Sequence, residues 1–134
     1  MTKKVLIAED DASIARALEN QIKSWGFSVA RAPNGWEAYI LLADNLGEPF
    51  FAVVSDMRMP GGSGLHFCQA ADRLKKCPPT LVHSSDLAYK GDGIEFKDIC
   101  ELKEYFDFVQ VTHLKPKLNN DFGYVKEFLD SITA

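Results

Sequence analysis

Apolar positions follow two alternating rhythms along this chain. Val5-Leu6-Ile7-Ala8 is a continuous apolar run of strand length that stops at Glu9. Ile14, Leu18 and Ile22 then recur at every fourth position until Gly26, which predicts a first helix and its end. Phe27-Ser28-Val29-Ala30 reads as a second strand, Asn34-Gly35 as a turn, and Ala38, Leu41 and Leu42 as one face of a second helix. The run Phe50-Phe51-Ala52-Val53-Val54-Ser55 predicts a third strand that ends on Asp56. A third helix is expected from Gly64 to Lys76, with Phe67, Ala71 and Leu74 on one face and Pro78-Pro79 blocking its continuation. Thr80-Leu81-Val82-His83-Ser84 is the fourth strand. Ile99, Leu102 and Phe106 mark a fourth helix, Phe108-Val109-Gln110-Val111 a fifth strand, and Phe122, Val125, Leu129 and Ile132 a closing helix.

Five short strands separated by helices call for a parallel sheet, because parallel neighbours need long crossovers and the helices supply them. The expected fold is therefore a doubly wound α/β domain with helices on both faces. With 134 residues, the chain fits one domain spanning 1–134. Its formal net charge of -4 offers no whole-surface attraction to nucleic acid or anionic membrane, so neither is expected as a direct partner. Cys68, Cys77 and Cys100 lack metal-ligand spacing and read as reduced, structural thiols, as in a cytoplasmic protein. The apolar stretch after Met1-Thr2-Lys3-Lys4 is too short for a signal peptide or a membrane span.

The candidate chemistry sits at strand ends. Glu9, Asp10 and Asp11 follow the first strand, Asp56 ends the third, Ser84 ends the fourth, and Lys115 follows the fifth. Ligands of open α/β sheets bind beyond the carboxyl ends of the strands, where all of these residues fall. Two carboxylates about 5 Å apart repel by roughly 3 kcal/mol at an effective dielectric near 20, so the cluster needs cations beyond Lys115. Magnesium is the natural complement, since it takes one or two carboxylates, keeps waters and completes its shell with phosphate oxygens. Asp56 then serves as both ligand and nucleophile, forming an aspartyl phosphate, and the Ser84 hydroxyl is placed to donate to a phosphoryl oxygen. The bland alternative is that Asp10 or Asp11 merely caps the first helix. Gly61-Gly62-Ser63-Gly64 lacks a P-loop lysine and reads as the loop opening the third helix.

Taken together, Glu9-Asp10, Asp56 with Met59-Pro60 and Gly64, Ser84-Ser85, and Lys115-Pro116 resemble the receiver domains of two-component response regulators, over essentially the whole chain. The resemblance implies a flavodoxin-like sheet of order 2-1-3-4-5 and phosphotransfer from a histidine kinase or histidine phosphotransfer protein. It implies Asp56 as phosphoacceptor, Asp10 and Asp56 as magnesium ligands with the Arg58 backbone carbonyl, and Glu9 acting through a bound water. Asp11 lies just outside this set. Lys115 pairs with the phosphoryl group, Ser84 moves toward it, and the family often has a cis peptide before the proline matching Pro116. The expected output is altered binding of a downstream protein, on the face formed by the fourth helix, the fifth strand and the closing helix. The chain is read as a stand-alone receiver that is no enzyme beyond its own phosphorylation and dephosphorylation; the same residues fit an amino-terminal piece of a longer protein.

Several residues depart from the family pattern. Thr112 stands where an aromatic commonly serves as a rotamer switch, with His113, Tyr105, Phe106 and Phe108 as nearby substitutes. The interval from Ser84 to Lys115 is longer than receivers usually have, and its segment Asp86-Leu87-Ala88-Tyr89-Lys90-Gly91-Asp92-Gly93 is a candidate for partner selectivity. Arg58 and Asp86 flank the phosphorylation site in receivers and form a candidate ion pair controlling water access across its mouth. Two other classes compete with this reading. A phosphorylation-independent adaptor would keep the fold without the switch. A small phosphohydrolase of the haloacid-dehalogenase type would need a second Asp two residues after the nucleophile, where this chain has Arg58.

Overall fold

The computed structural model describes residues 3–57, 59–74, 77–83, 106, 108–112 and 122–133. Its elements are β1 (Lys4–Ala8), α1 (Ala12–Ser24), β2 (Ser28–Ala32), α2 (Gly35–Asp44), β3 (Ala52–Asp56), α3 (Gly64–Ala71), β4 (Thr80–His83), β5 (Val109–Thr112) and a closing helix α4 (Gly123–Thr133). All strand pairs are parallel and the sheet runs in the order β2-β1-β3-β4-β5, as the resemblance implied. The order reverses between β1 and β3, whose carboxyl ends carry Glu9 and Asp56.

The two faces of the sheet are covered by different helices, and the period-two alternation of the strands divides the core between them. Leu6, Ala8, Val53 and Val82 pack with Ala38 and Leu42 of α2 and Phe67, Cys68 and Ala71 of α3. Val5, Ile7, Val54 and Leu81 pack with Leu18 and Ile22 of α1 and Val125, Phe128 and Leu129 of α4. Alternate positions of β1 thus face opposite layers, and Val5, Leu6, Ile7 and Ala8 are all inaccessible. A continuous apolar run is what such a two-sided environment demands.

Local boundaries differ from the periodicity in instructive places. Gly26 does end α1, adopting a φ of 96° while its N–H donates to the Lys23 carbonyl at 3.0 Å. Asn34-Gly35 is not a free turn: the Asn34 side chain accepts from the Glu37 N–H at 2.8 Å, so it caps α2, and Gly35 is already helical. β2 lies further along than Phe27–Ala30, because Ser28–Ala32 is the stretch in register with β1. The α3 helix stops at Ala71, short of the expected Lys76. There the Arg73 and Leu74 N–H groups bond to the Ala70 and Ala71 carbonyls, tightening the last turn, and the Cys77 thiol donates to the Ala71 carbonyl at 2.6 Å. The side chains marking the expected fourth helix, Ile99 and Leu102, lie outside the described residues; Phe106 is buried against the α2–α3 layer.

Candidate phosphoacceptor and metal site

The local chain path explains how each carboxylate reaches the carboxyl edge of the sheet. Beyond β1, the Glu9 N–H still donates to the Ala32 carbonyl at 3.1 Å, which prolongs the β1–β2 ladder by one residue. An Arg31 guanidinium nitrogen donates to the Glu9 carbonyl at 3.0 Å. The backbone is thereby held on both sides, and the Glu9 side chain is buried at 1% exposure. Asp10 follows on the exposed side. Asp11 turns the chain into α1, its carboxylate accepting from the Ser13 and Ile14 N–H groups at 2.9 and 3.1 Å. The capping reading is therefore correct for Asp11, and Asp10 is left beside Glu9 and Asp56.

Asp56 is the last residue of β3 and is 6% exposed. Its carbonyl accepts from the Ser55 hydroxyl at 2.8 Å. Just past it, the Met57 N–H donates to the His83 carbonyl at 2.9 Å and the Met57 carbonyl accepts from the Gly64 N–H at 2.8 Å. This last bond closes the following loop at its base. Gly64 is required there: a Cβ would stand 2.6 Å from the Asp56 carbonyl oxygen and 3.1 Å from the Met57 Cα. Ser63 caps α3 by accepting from the His66 N–H, while His66 Nδ1 accepts from the Ser63 N–H, both at 3.1 Å. The loop also docks on α2, where the Gly35 N–H donates to the Gly62 carbonyl at 2.7 Å. Gly61-Gly62-Ser63-Gly64 therefore acts as a brace for Asp56.

These constraints bring Glu9, Asp10 and Asp56 together, with one carboxylate oxygen of each within 4.8 Å of the others. At that separation the two buried acids Glu9 and Asp56 repel by about 3 kcal/mol at an effective dielectric near 20. The donor set fits a hard divalent cation: all three groups offer carboxylate oxygens, and exposed Asp10 leaves a side open for water or phosphoryl oxygens. The described residues include none of Arg58, Ser84, Asp86, Tyr105, His113 or Lys115, so those expectations lie outside the description; Thr112 is described as the end of β5.

The thiols do not belong to this site. Cys68 and Cys77 are free, and burial, reinforced by Cys77 and Asp72 nearby, pushes the Cys68 thiol up to about 12. A thiol so disfavoured as thiolate is a packing residue. Cys100 lies outside the described residues.

The chain matches the family model of the response regulator receiver domain over residues 5–97. It is a member of that family. Among curated relatives, this receiver is similar to the uncharacterized transcriptional regulatory protein YrkP of Bacillus subtilis (strain 168), 35% identical over 109 residues that cover 75% of this chain and 46% of that protein. It is also similar to the response regulator MprA of Mycobacterium sp. (strain KMS), 35% identical over 82 residues covering 61% and 34% of the two chains. The receiver thus spans less than half the length of either relative. Among solved structures, a response regulator receiver protein from Pseudomonas putida superposes with a TM-score of 0.74 at 25% identity, covering 98% of both chains. TrrA of Thermotoga maritima, solved in complex with Mg(2+)-BeF, has a TM-score of 0.68 at 22% identity, covering 98% of this chain and 99% of that one. Two-component signalling is accordingly the setting of this receiver.

Residue chemistry pointed to Glu9, Asp10 and Asp56 because each follows or ends an apolar strand run. It passed over His83. That side chain is 2% exposed, and its Nδ1 shares a hydrogen bond of 3.0 Å with the Tyr124 hydroxyl, 41 positions along the chain. The one signal in the sequence is an imidazole interrupting the apolar end of β4, immediately before Ser84.

Proposed function

We propose that this receiver accepts a phosphoryl group on Asp56 from a histidine kinase or histidine phosphotransfer protein in a magnesium-dependent reaction. The convergence of the Glu9, Asp10 and Asp56 carboxylates within 4.8 Å at the carboxyl edge of the sheet carries this reading. An Asp56 carboxylate oxygen attacks phosphorus, a P–O bond forms, and the P–N bond to the donor imidazole breaks. Asp10 and Asp56, with the Arg58 backbone carbonyl, would hold the cation, and Glu9 would act through a bound water. When bound, magnesium offsets the negative charge gathered on the carboxylates and the phosphoryl oxygens. In the same proposal Lys115 pairs with the phosphoryl group, Ser84 donates its hydroxyl, and the Arg58–Asp86 pair controls water access. Hydrolysis returns the carboxylate when water attacks phosphorus and the P–O bond to Asp56 breaks.

The output on this reading is a change in binding to a downstream protein. The chain's net charge of -4 gives it no electrostatic claim on DNA by itself, although the relatives it matches include transcriptional regulators. No described helix is long and apolar enough to cross a membrane, and a cytoplasmic location is part of the proposal. Intact mass after incubation with acetyl phosphate and magnesium tests the reaction. One phosphoryl adduct is expected, absent in Asp56→Asn and absent when the metal is chelated. An adduct that persists in Asp56→Asn, or a folded chain that takes no phosphoryl group from acetyl phosphate or a cognate kinase, overturns the proposal.

A further inference from the structure

The carboxyl edge of the sheet carries a second polar arrangement, behind the carboxylates. His83 ends β4, its Cα in register with Asp56 of β3 on one side and Thr112 of β5 on the other. Its backbone carbonyl accepts from the N–H of Met57, the residue joined to Asp56. Its ring bonds to the hydroxyl of Tyr124 in the first turn of α4, with ring centroids 5.7 Å apart. A buried imidazole is costly unless hydrogen-bonded, and an apolar side chain would fill this position at lower cost. Tyr124 is itself only partly buried, packed against the α1–α4 layer. A short path of bonds therefore leads from the backbone at Asp56, through His83, to the start of a helix on one face of the sheet.

We infer that His83 and Tyr124 are positioning residues that couple the charge state of Asp56 to the first turn of α4. This rests on the phosphoacceptor reading of Asp56. Added charge at Asp56 shifts the end of β3; the Met57–His83 backbone bond passes that shift to the end of β4; the imidazole then carries it to Tyr124. Because both side chains are rigid rings in contact, a small displacement at β4 is not absorbed by rotamer freedom, as it would be by a flexible chain. The coupling needs the hydroxyl and not merely the aromatic bulk.

Tyr124→Phe isolates that requirement, since it keeps the ring and its packing. The measurement is the amide NMR spectrum of the full chain with magnesium, before and after addition of beryllium fluoride as a phosphoryl mimic, followed at Gly123–Thr133 and at Asp56. In the wild type, shifts are expected at both places. In Tyr124→Phe the Asp56 shifts and the magnesium affinity should be retained, while the α4 shifts fall by roughly fivefold, the equilibrium factor that one net hydrogen bond carries. His83→Leu should have the same effect, and the double variant no more than either single one, because each breaks the same His83–Tyr124 bond. Full α4 shifts in Tyr124→Phe overturn the inference, as does a parallel loss of the Asp56 and α4 responses, which would place Tyr124 in the binding site itself. A wild-type chain that shows no response at Asp56 defeats the phosphoacceptor reading instead.

Discussion

At the scale of single residues, the site depends on backbone as much as on its carboxylates. Gly64 is the clearest case. Replacing a glycine by alanine usually stabilises a helix start by about 0.4–1 kcal/mol, through the unfolded chain. Here the added Cβ would press on the Asp56 carbonyl oxygen at 2.6 Å, a backbone atom that cannot swing aside. Overpacking of this kind costs about 1–3 kcal/mol, so the clash outweighs the entropic gain. Gly64→Ala should lower the urea midpoint and weaken magnesium binding together, because relief of the contact moves Asp56. A stability loss with unchanged metal affinity would show that the loop yields without disturbing the carboxylate. Glycine in the sequence signalled a loop; only the distance to Asp56 shows why this glycine stands there.

Among the elements, the junction of β1 and α1 separates neighbours that look alike in the sequence. Asp10 and Asp11 are both acids after a strand, and either fits a helix cap by composition. The structure gives the cap to Asp11, through its bonds to the Ser13 and Ile14 N–H groups, and places Asp10 beside Glu9 and Asp56 in the carboxylate cluster. Asp11→Ala should destabilise the fold by about 1 kcal/mol, the usual worth of an N-cap, and leave magnesium affinity unchanged. Equal losses of metal binding in Asp11→Ala and Asp10→Asn would contradict this division. Other boundaries were less legible for a related reason. The early end of α3 follows from the Cys77 thiol meeting the Ala71 carbonyl, and the placement of β2 follows from its register with β1. The first is a side-chain bond only six positions along and the second a pairing between strands, and an apolar period contains neither.

On the scale of the whole molecule, a parallel sheet gathers the ends of separate strands at one edge and concentrates like charge there. Clustered carboxylates oppose folding through mutual repulsion, and a bound cation reverses that effect. Magnesium at a hundredfold excess over its dissociation constant should stabilise the chain by about 2.7 kcal/mol, by linkage alone. A thermal melt with and without magnesium reads this as a rise in Tm, expected to be lost in Asp10→Asn. Asp10→Asn should also melt higher than the wild type in the absence of metal, since it removes one of the repelling charges. A magnesium effect that survives in Asp10→Asn would remove that residue from the ligand set.

By itself, the sequence determined the order and approximate place of the described strands and helices and which acids follow β1 and end β3, because apolar period and strand-end position are local properties of the chain. Val5 to Ala8 before Glu9, and Phe50 to Ser55 before Asp56, are legible without any knowledge of neighbours. Tertiary structure decided which of these ends meet. Pairing β1 with β3, and β4 with β3 and β5, is a non-local choice; it brings Glu9 and Asp10 to Asp56 and aligns His83 between Asp56 and Thr112. The bond between His83 and Tyr124 arises only when α4 packs back on the sheet, since 41 positions of chain separate them and no local period relates the two residues.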